Sequence, residues 1–458
     1  SFEANFFGYK SNEDCSNLNY EYTCKGEQVD YPDSWENRIF QTPPRDSEDY
    51  RSTYQDMHLL QGYVRTQYSE DRKSAILTFI TRINKKELGE NIKVLYYFGG
   101  TITANETFVI DSSKKYPNGF TASCKIFNNE EKELASLELE KLYFLWDNIE
   151  VNTPPNYENG QKGAIVEFFG WPYEDIEQEC EFLSKAGYMA VKVFPPQEAI
   201  YNFDAVQDDQ LNPWYFMYQP VSYRLTSRMG TKTQLRNMIN TCRKNNVRVY
   251  ADAVVNHMAG NGNDMNIDHR NGGDDWCVHW GPKNGSAGSP WYTTGWQYDN
   301  NKYTGEKPAL EFPSVPYGPS DFHCDRACDA WTDPFKMNYG WLTGLVDLKT
   351  EKPYVQQRIA DYITDLLSMG VSGVRIDAAK HIAPYNLTEI FLKLKNNLGG
   401  GELPDDFTAY LEVLLGNEKE LLMCTDNYYS YGKNFENHML KRGLSKGDVD
   451  KIHIWDSS

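Results

Sequence analysis

The stretch Gly373-Val374-Arg375-Ile376-Asp377-Ala378-Ala379-Lys380-His381 most constrains what this chain can fold into. It reads as a short apolar strand whose C-terminal end presents Arg, Asp, Lys and His together. In parallel β/α folds that end of a strand is where chemistry is placed, because the loops there converge on one face of the sheet. Two further strand ends carry acids. One is Val247–His257, with Asp252 and Asn256, and the other is Phe407–Glu412. Three acidic strand ends point to a carboxylate-based site.

The surrounding periodicity agrees with a parallel sheet. Ala164–Phe169 and Tyr188–Phe194 read as strands, and Tyr173–Ala186 and Thr231–Asn245 as helices. Residues 351–369 carry Val355, Ile359, Tyr362, Ile363, Leu366 and Leu367 as a helical stripe just before the strand that ends at Asp377. Repeated β/α units imply an α/β fold with helices outside a parallel sheet. The gap from His257 to about Leu345 is too long for a βα loop, and it is rich in Gly, Asp, Asn, Trp and Cys. It reads as an irregular subdomain inserted on the C-terminal face of the sheet.

The N-terminal part follows another pattern. Residues 1–55 are polar and turn-rich, an irregular arm. Residues 56–151 show period two, in Ser74–Thr81, Ile92–Phe98, Phe120–Phe127 and the alternation of Leu137, Leu139, Tyr143 and Leu145. Strands with no helix between them suggest a β-sandwich-like accessory domain. A linker with Pro154-Pro155 closes it. The expected order is then a first part of the barrel over 161–256, the insertion over 257–345 and the barrel's continuation over 346–458.

Composition narrows the function. There are 46 Lys and Arg against 65 Asp and Glu, a formal charge of -19, which argues against a nucleic-acid partner. No apolar run is long enough for a membrane-spanning helix. The 32 Tyr, 22 Phe and 11 Trp, set among carboxylates, suit the flat faces of sugar rings. The first residue is Ser1, as after removal of a signal peptide, and nine cysteines allow disulfides, so a secreted or lumenal location is expected. The odd count leaves at least one thiol outside intrachain pairs. Three acceptor motifs for N-linked glycan are present: Asn105-Glu106-Thr107, Asn284-Gly285-Ser286 and Asn386-Leu387-Thr388.

From about residue 161 to 435 the chain resembles the α-amylase family of glycoside hydrolases, most closely its animal-type members. The resemblance rests on Ala164–Trp171, Pro195-Pro196, Trp214–Tyr223, Asp252–His257, Gly344–Leu348 and Arg375–His381. It implies a TIM (β/α)8-type barrel with a calcium-binding insertion after the third strand. It also implies endo-hydrolysis of starch- or glycogen-type α-1,4-glucans with retention of configuration. Asp377 matches the nucleophile and Glu412 the general acid/base of such a pair. Arg375, two residues earlier on the same strand face, is expected to lower the Asp377 pKa and keep it ionised.

By the same resemblance Trp214 and Tyr215 stack glucose units, and Tyr218, Gln219, His257 and Lys380 line the same cleft. Asn256, Asp347, and the backbone carbonyls of Asn338 and His381 match calcium ligands, the oxygen donors a hard cation takes. Arg375 corresponds to an anion-binding Arg of chloride-dependent relatives. Cys180 and Cys242 match a family disulfide, while Cys324 could pair with Cys328 or with Cys277.

One family feature is not found where it is needed. A third acid follows Asn-His at the seventh strand, but Phe435-Glu436-Asn437-His438-Met439 places Met439 there. His438 lies 26 residues after Glu412, too few for two further β/α units, so it is expected in a helix, with Tyr428–Lys433 as the sixth-strand region. The barrel is therefore expected to be incomplete in this chain, lacking its last strands, with another segment or a second polypeptide supplying the missing Asp. The alternative is a catalytically inactive amylase-like protein with a glucan-binding or structural role. A transglycosylase would use the same residues.

Overall fold

The computed structural model describes residues 56–152, 163–201, 206–207, 210–260, 263–264, 284–293, 298–299, 302–303, 311–323, 328, 331, 334–414 and 433–456. The expected N-terminal arm lies outside them.

The first unit is all β. Its strands are β1 (Leu60–Tyr68), β2 (Ser74–Ile83), β3 (Lys93–Phe98), β4 (Thr101–Thr103), β5 (Thr107–Asp111), β6 (Ala122–Phe127) and β7 (Glu133–Glu138). They form two antiparallel sheets, ordered β1-β2-β5 and β4-β3-β6-β7. Alternate residues turn inward: Ala75, Leu77 and Phe79 from β2, and Ala122, Cys124 and Ile126 from β6. Phe98 of β3 lies 5.6 Å from Phe79 and stacks at 5.1 Å on Phe108, so aromatic rings join the two sheets. The fourth expected strand is corrected. It starts earlier and stops at Glu138, and Leu145–Asp147 form a 3-10 turn that stacks Trp146 on Phe144. Alternation persists past Glu138, but only the Phe120–Leu142 bridge pairs there.

The second unit is the parallel sheet expected from the sequence. Six strands run in chain order: β8 (Ile165–Phe168), β9 (Ala190–Val193), β10 (Arg248–Ala253), β11 (Gly373–Ile376), β12 (Ala409–Val413) and β13 (Ile452–Asp456). All neighbours are parallel. The helices between them are α1 (Tyr173–Lys185), α2 (Lys232–Lys244), α3 (Pro353–Ser368), α4 (Pro384–Asn397) and α5 (Lys433–Arg442). Helix α2 starts where Thr231 and Gln234 form a reciprocal capping box, which satisfies two amides at its start. A disulfide joins Cys180 of α1 to Cys242 of α2, with Cα atoms 4.8 Å apart.

The sixth strand corrects the placement read from the sequence. Tyr428–Gly432 lie outside the described residues, Lys433 opens α5, and the strand beside β12 is β13. His438 is a helix residue, as its spacing implied. Phe435 and Met439 are buried four residues apart on one face of α5. A five-residue strand with mixed polarity, Ile452–Asp456, carries too little periodicity to stand out in the sequence.

The β unit is bonded onto the outer helices. Tyr63 Oη and Arg65 Nε both donate to Asp361 Oδ2 of α3, at 2.7 and 2.9 Å. Tyr68 and Ser368 share a hydrogen bond of 2.7 Å, and Arg72 donates to the carbonyls of Leu398 and Glu402. Beyond β10 the chain returns beside the sheet, since His257–Met258 pair antiparallel with Val346–Asp347. Buried Glu198 secures part of it, accepting from Ser222 Oγ and from the amides of Ala287 and Ser289.

Gly373 sets the spacing of the two strands that carry the site. A Cβ there would overlap the carbonyl oxygen of Thr408. Gly373→Ala is expected to force β11 from β12 and to cost about 1–3 kcal/mol or more, as overpacking does. A urea midpoint within error of the parent would refute this.

Candidate active site

The carboxylates named from the sequence converge at the C-terminal ends of β10, β11 and β12. Parallel register sets Asp252 beside Arg375 and Arg375 beside Tyr410. The guanidinium of Arg375 then reaches three acids. Its Nη1 lies 2.6 Å from Asp252 Oδ1 and 3.0 Å from Asp377 Oδ1, and its Nη2 lies 2.6 Å from Glu412 Oε1. The second oxygen of Glu412 accepts from the amide of Ala378 at 2.7 Å. Ala378 adopts φ 49°, a left-handed conformation unfavourable for a residue with a Cβ, and this turn follows directly on Asp377. Only Oδ1 of Asp377 lies in the clamp, which leaves Oδ2 outside it.

Asp252 is fully buried and anchors the cluster. Tyr218 Oη donates to its Oδ2 at 2.7 Å, and Lys192 Nζ lies 3.9 Å from that oxygen while pairing with Glu167 at 2.8 Å. Lys192 and Glu167 are register neighbours on β9 and β8. The site thus holds four carboxylates, Glu167, Asp252, Asp377 and Glu412, against two cations, Lys192 and Arg375. Lys192 and Glu167 were not singled out in the sequence, and Asp252 was named there only as an acidic strand end, with no role.

This excess overturns one expectation. Burial, then the charges of Asp252 and Glu412, hold the Asp377 carboxyl well above the usual range, and the opposing pull of Arg375 does not restore it. Burial also raises Asp252, against Arg375, Lys192 and Tyr218. Arg375 lowers the Asp377 pKa, as read from the sequence, but it is shared among three acids and is outweighed.

A cleft of about 680 Å³ opens over the cluster. Trp214, Tyr215, Tyr218, Gln219 and His257 line it as expected, together with Phe169, Thr343 and Gly344. Trp214 is 52% exposed, and its ring lies 5.7 Å from Tyr215 and 5.7 Å from the half-exposed Phe169. Such faces are what a sugar ring stacks on. His257 Nε2 donates to the Tyr218 carbonyl, and burial draws its pKa down to about 4, so it is neutral. Lys380 lies apart from the cleft lining. It donates to the Leu414 carbonyl at 2.8 Å and sits 5.3 Å from the Trp331 ring.

The four expected calcium ligands lie where the insertion meets the barrel. Asn256 follows β10, Asp347 sits on the returning pair, Asn338 is in the short helix Pro334–Tyr339, and His381 follows β11. His381 Nδ1 donates to the carbonyl of Met337. Asp347 is buried, and one of its oxygens, Oδ1, has no hydrogen-bond partner. Burial pushes its carboxyl up to about 7. Its other oxygen accepts from His323 Nδ1 at 2.6 Å, and His323 Nε2 donates to Glu351. Burial pulls His323 down, but Glu351 and Asp347 outweigh it and lift the imidazole to about 9. Among the described residues no cluster of three His, Cys, Asp or Glu could hold a metal. An oxygen site built on one carboxylate, amides and carbonyls is a different donor set, and the orphaned Asp347 Oδ1 fits it. Cys328 is buried beside Met337, and both Cys324, its candidate partner, and Cys277 lie outside the described residues.

The chain is also similar to known proteins. The sequence profile of the family described as alpha amylase, catalytic domain, matches residues 176–390. The chain is 36% identical over 308 residues to an alpha-amylase of Oryzias latipes, covering 64% of this chain and 51% of that protein. It is 37% identical over 315 residues to pancreatic alpha-amylase of Homo sapiens, covering 66% and 52%. The chain thus spans about half the length of the curated relatives it matches. Among solved structures, a mutant of alpha-amylase I from Eisenia fetida in complex with maltohexaose is 31% identical, with a TM-score of 0.45 over 62% of this chain and 50% of that one. Over residues 176–390 this chain is similar to the alpha-amylase catalytic-domain family.

Proposed function

We propose that this chain hydrolyses α-1,4-linked glucans internally and with retention when another segment supplies the third catalytic Asp. Asp377 would act as nucleophile and Glu412 as general acid and base. The observation that carries this reading is Arg375 holding Asp252, Asp377 and Glu412 together under an aromatic-walled cleft. A guanidinium touching both reacting carboxylates keeps them close, and retaining enzymes use the shorter separation of about 5 Å. Asp377 would attack the anomeric carbon as its bond to the leaving oxygen breaks, and Glu412 would give that oxygen a proton. Water then releases the sugar, with Glu412 taking the proton back. Trp214 and Tyr215 would stack the glucose rings beside the bond that is cut.

The test is reducing-end release from soluble starch and maltoheptaose, with the product anomer followed by proton NMR. An α-anomer formed first supports retention, and a β-anomer first would refute it. One observation favours a second reading, a glucan binder without hydrolysis. Both oxygens of Glu412 are already engaged, by Arg375 and by the Ala378 amide. Oligosaccharide binding with no release would select that reading.

Calcium would be held by Asp347 Oδ1, Asn256 and the carbonyls of Asn338 and His381, and would fasten the insertion to the barrel. Calcium is expected to raise the melting temperature of chelator-treated protein. At a hundredfold excess over Kd the gain would be ~2.7 kcal/mol. An unchanged melting temperature, or the same gain in Asp347→Asn, would count against the site. For chloride, the buried Nε of Arg375 has no partner, and an anion there would satisfy it.

The Cys180–Cys242 disulfide suits a secreted or lumenal location. No helix among the described residues is long and apolar enough to cross a membrane. The second polypeptide considered from the sequence has no supporting observation.

A further inference from the structure

We propose that Asn105 is an attachment site for N-linked glycan, and that the glycan covers the outer edge of the β unit. Three acceptor motifs occur in the chain, and the fold treats them differently.

Asn386 and Thr388 lie in α4. Asn386 Nδ2 donates to Thr350 Oγ1, and the Thr388 hydroxyl is fully buried on the Pro384 carbonyl. Asn284 is paired with Tyr201 in a short ladder, and Ser286 Oγ accepts from the Ala199 amide and donates to the Thr226 carbonyl. Next to it, a Cβ on Gly285 would overlap Glu198 Oε2, so that turn is closely packed. A glycan at Asn386 would break the bond to Thr350.

Asn105 is placed otherwise. It is exposed at the tip of the turn between β4 and β5. Its Oδ1 accepts from the amide and the hydroxyl of Thr107, at 3.0 and 2.9 Å. Both bonds use Oδ1, so neither engages Nδ2, the atom a glycan is joined to. The flanking strands supply a second reason. Ile102 of β4 is 61% exposed and Val109 of β5 is 69% exposed, two of the three most exposed large apolar side chains among the described residues. A hydrophilic glycan rooted between them would shield apolar surface that is otherwise open to other molecules.

The transfer forms a bond from Asn105 Nδ2 to the anomeric carbon of an oligosaccharide. The bond from that carbon to a polyisoprenoid-pyrophosphate donor breaks. The lipid pyrophosphate leaves with the electron pair, and the amide proton is lost to base. The donor is a lipid-linked oligosaccharide of the secretory lumen.

The test is secretion of the full chain from insect cells behind a leader peptide, then enzymatic removal of N-glycan in ¹⁸O water and peptide mapping. The expected result is a labelled Asn-to-Asp conversion at position 105, lost in Asn105→Gln and in Thr107→Ala and kept in Thr107→Ser. An unmodified Asn105, or label only at Asn284 or Asn386, would overturn the proposal. The readout does not use hydrolysis, so it is independent of the activity proposed for the cleft.

Discussion

Asp377→Asn should abolish glucan hydrolysis and yet make the protein more stable at neutral pH. If Asp377 is the nucleophile, the amide loses a covalent route, and activity should fall on the order of 10⁴-fold or more, ~5.5 kcal/mol in the barrier. The stability gain follows from the raised pKa of this carboxyl. A group whose folded pKa lies above its unfolded value of about 3.9 binds its proton more tightly in the folded state. Its contribution is therefore favourable at low pH and is lost as pH rises from about 4 through the folded pKa. At pH 7 the parent bears that cost and the Asn variant does not. Urea midpoints at pH 7 and pH 4 read the difference, which should be largest at pH 7 and shrink towards pH 4. For the same reason the acid limb of kcat/KM in the parent should lie above the pH of an ordinary Asp. Undiminished hydrolysis would remove Asp377 from its role, and a lower midpoint at pH 7 would remove the electrostatic argument.

Arg375→Ala should have the largest effect on stability. Among the described residues the guanidinium is the one group bonded to Asp252, Asp377 and Glu412 together, and the first two of these are almost wholly buried. Deleting one partner of a buried ion pair costs about 3–5 kcal/mol, because the charge left behind has neither water nor a counter-ion. Here three carboxylates lose a shared partner. The variant should therefore unfold at much lower urea at pH 7 and recover part of the loss near pH 4–5, where carboxylates take up protons. Arg375→Lys should fall between, since an ammonium restores charge but not a planar fork that spans three acids. A midpoint for Arg375→Ala equal to the parent at pH 7 would show that the clamp contributes nothing to folding.

Much of the barrel was legible in the sequence because its signals are local. The helical stripe of α3 carries its own period, and Thr231 and Gln234 mark the start of α2. Asp377 and Glu412 stand out because an apolar run ends in an acid. The β unit was read less fully. Strands β1, β4 and β5 were missed, and β7 was extended past its true end: β1 buries Leu60–Tyr63 in succession instead of alternating, and β4 and β5 are short. The sixth parallel strand was placed too early for the same reason. The resemblance named the Cys180–Cys242 pair, which packing then set between two neighbouring helices.

The residues missed in the site share one property: their partners are remote in sequence. Lys192 and Glu167 meet because β8 and β9 pair in one register and not another. His323 reaches Asp347 and Glu351 only after the insertion folds back to the barrel.

The sequence by itself determined where carboxylates stand along the strands, and hence that a site of acids forms at one end of a parallel sheet. The tertiary structure decided how those acids are charged. Two residues of separation placed Arg375 beside Asp377 and suggested an ionised nucleophile. Folding adds Asp252 and Glu412 around the same guanidinium and removes water from all of them. Desolvation and Coulomb energies sum over everything nearby in space, whatever its distance along the chain, and here that sum reverses the sign.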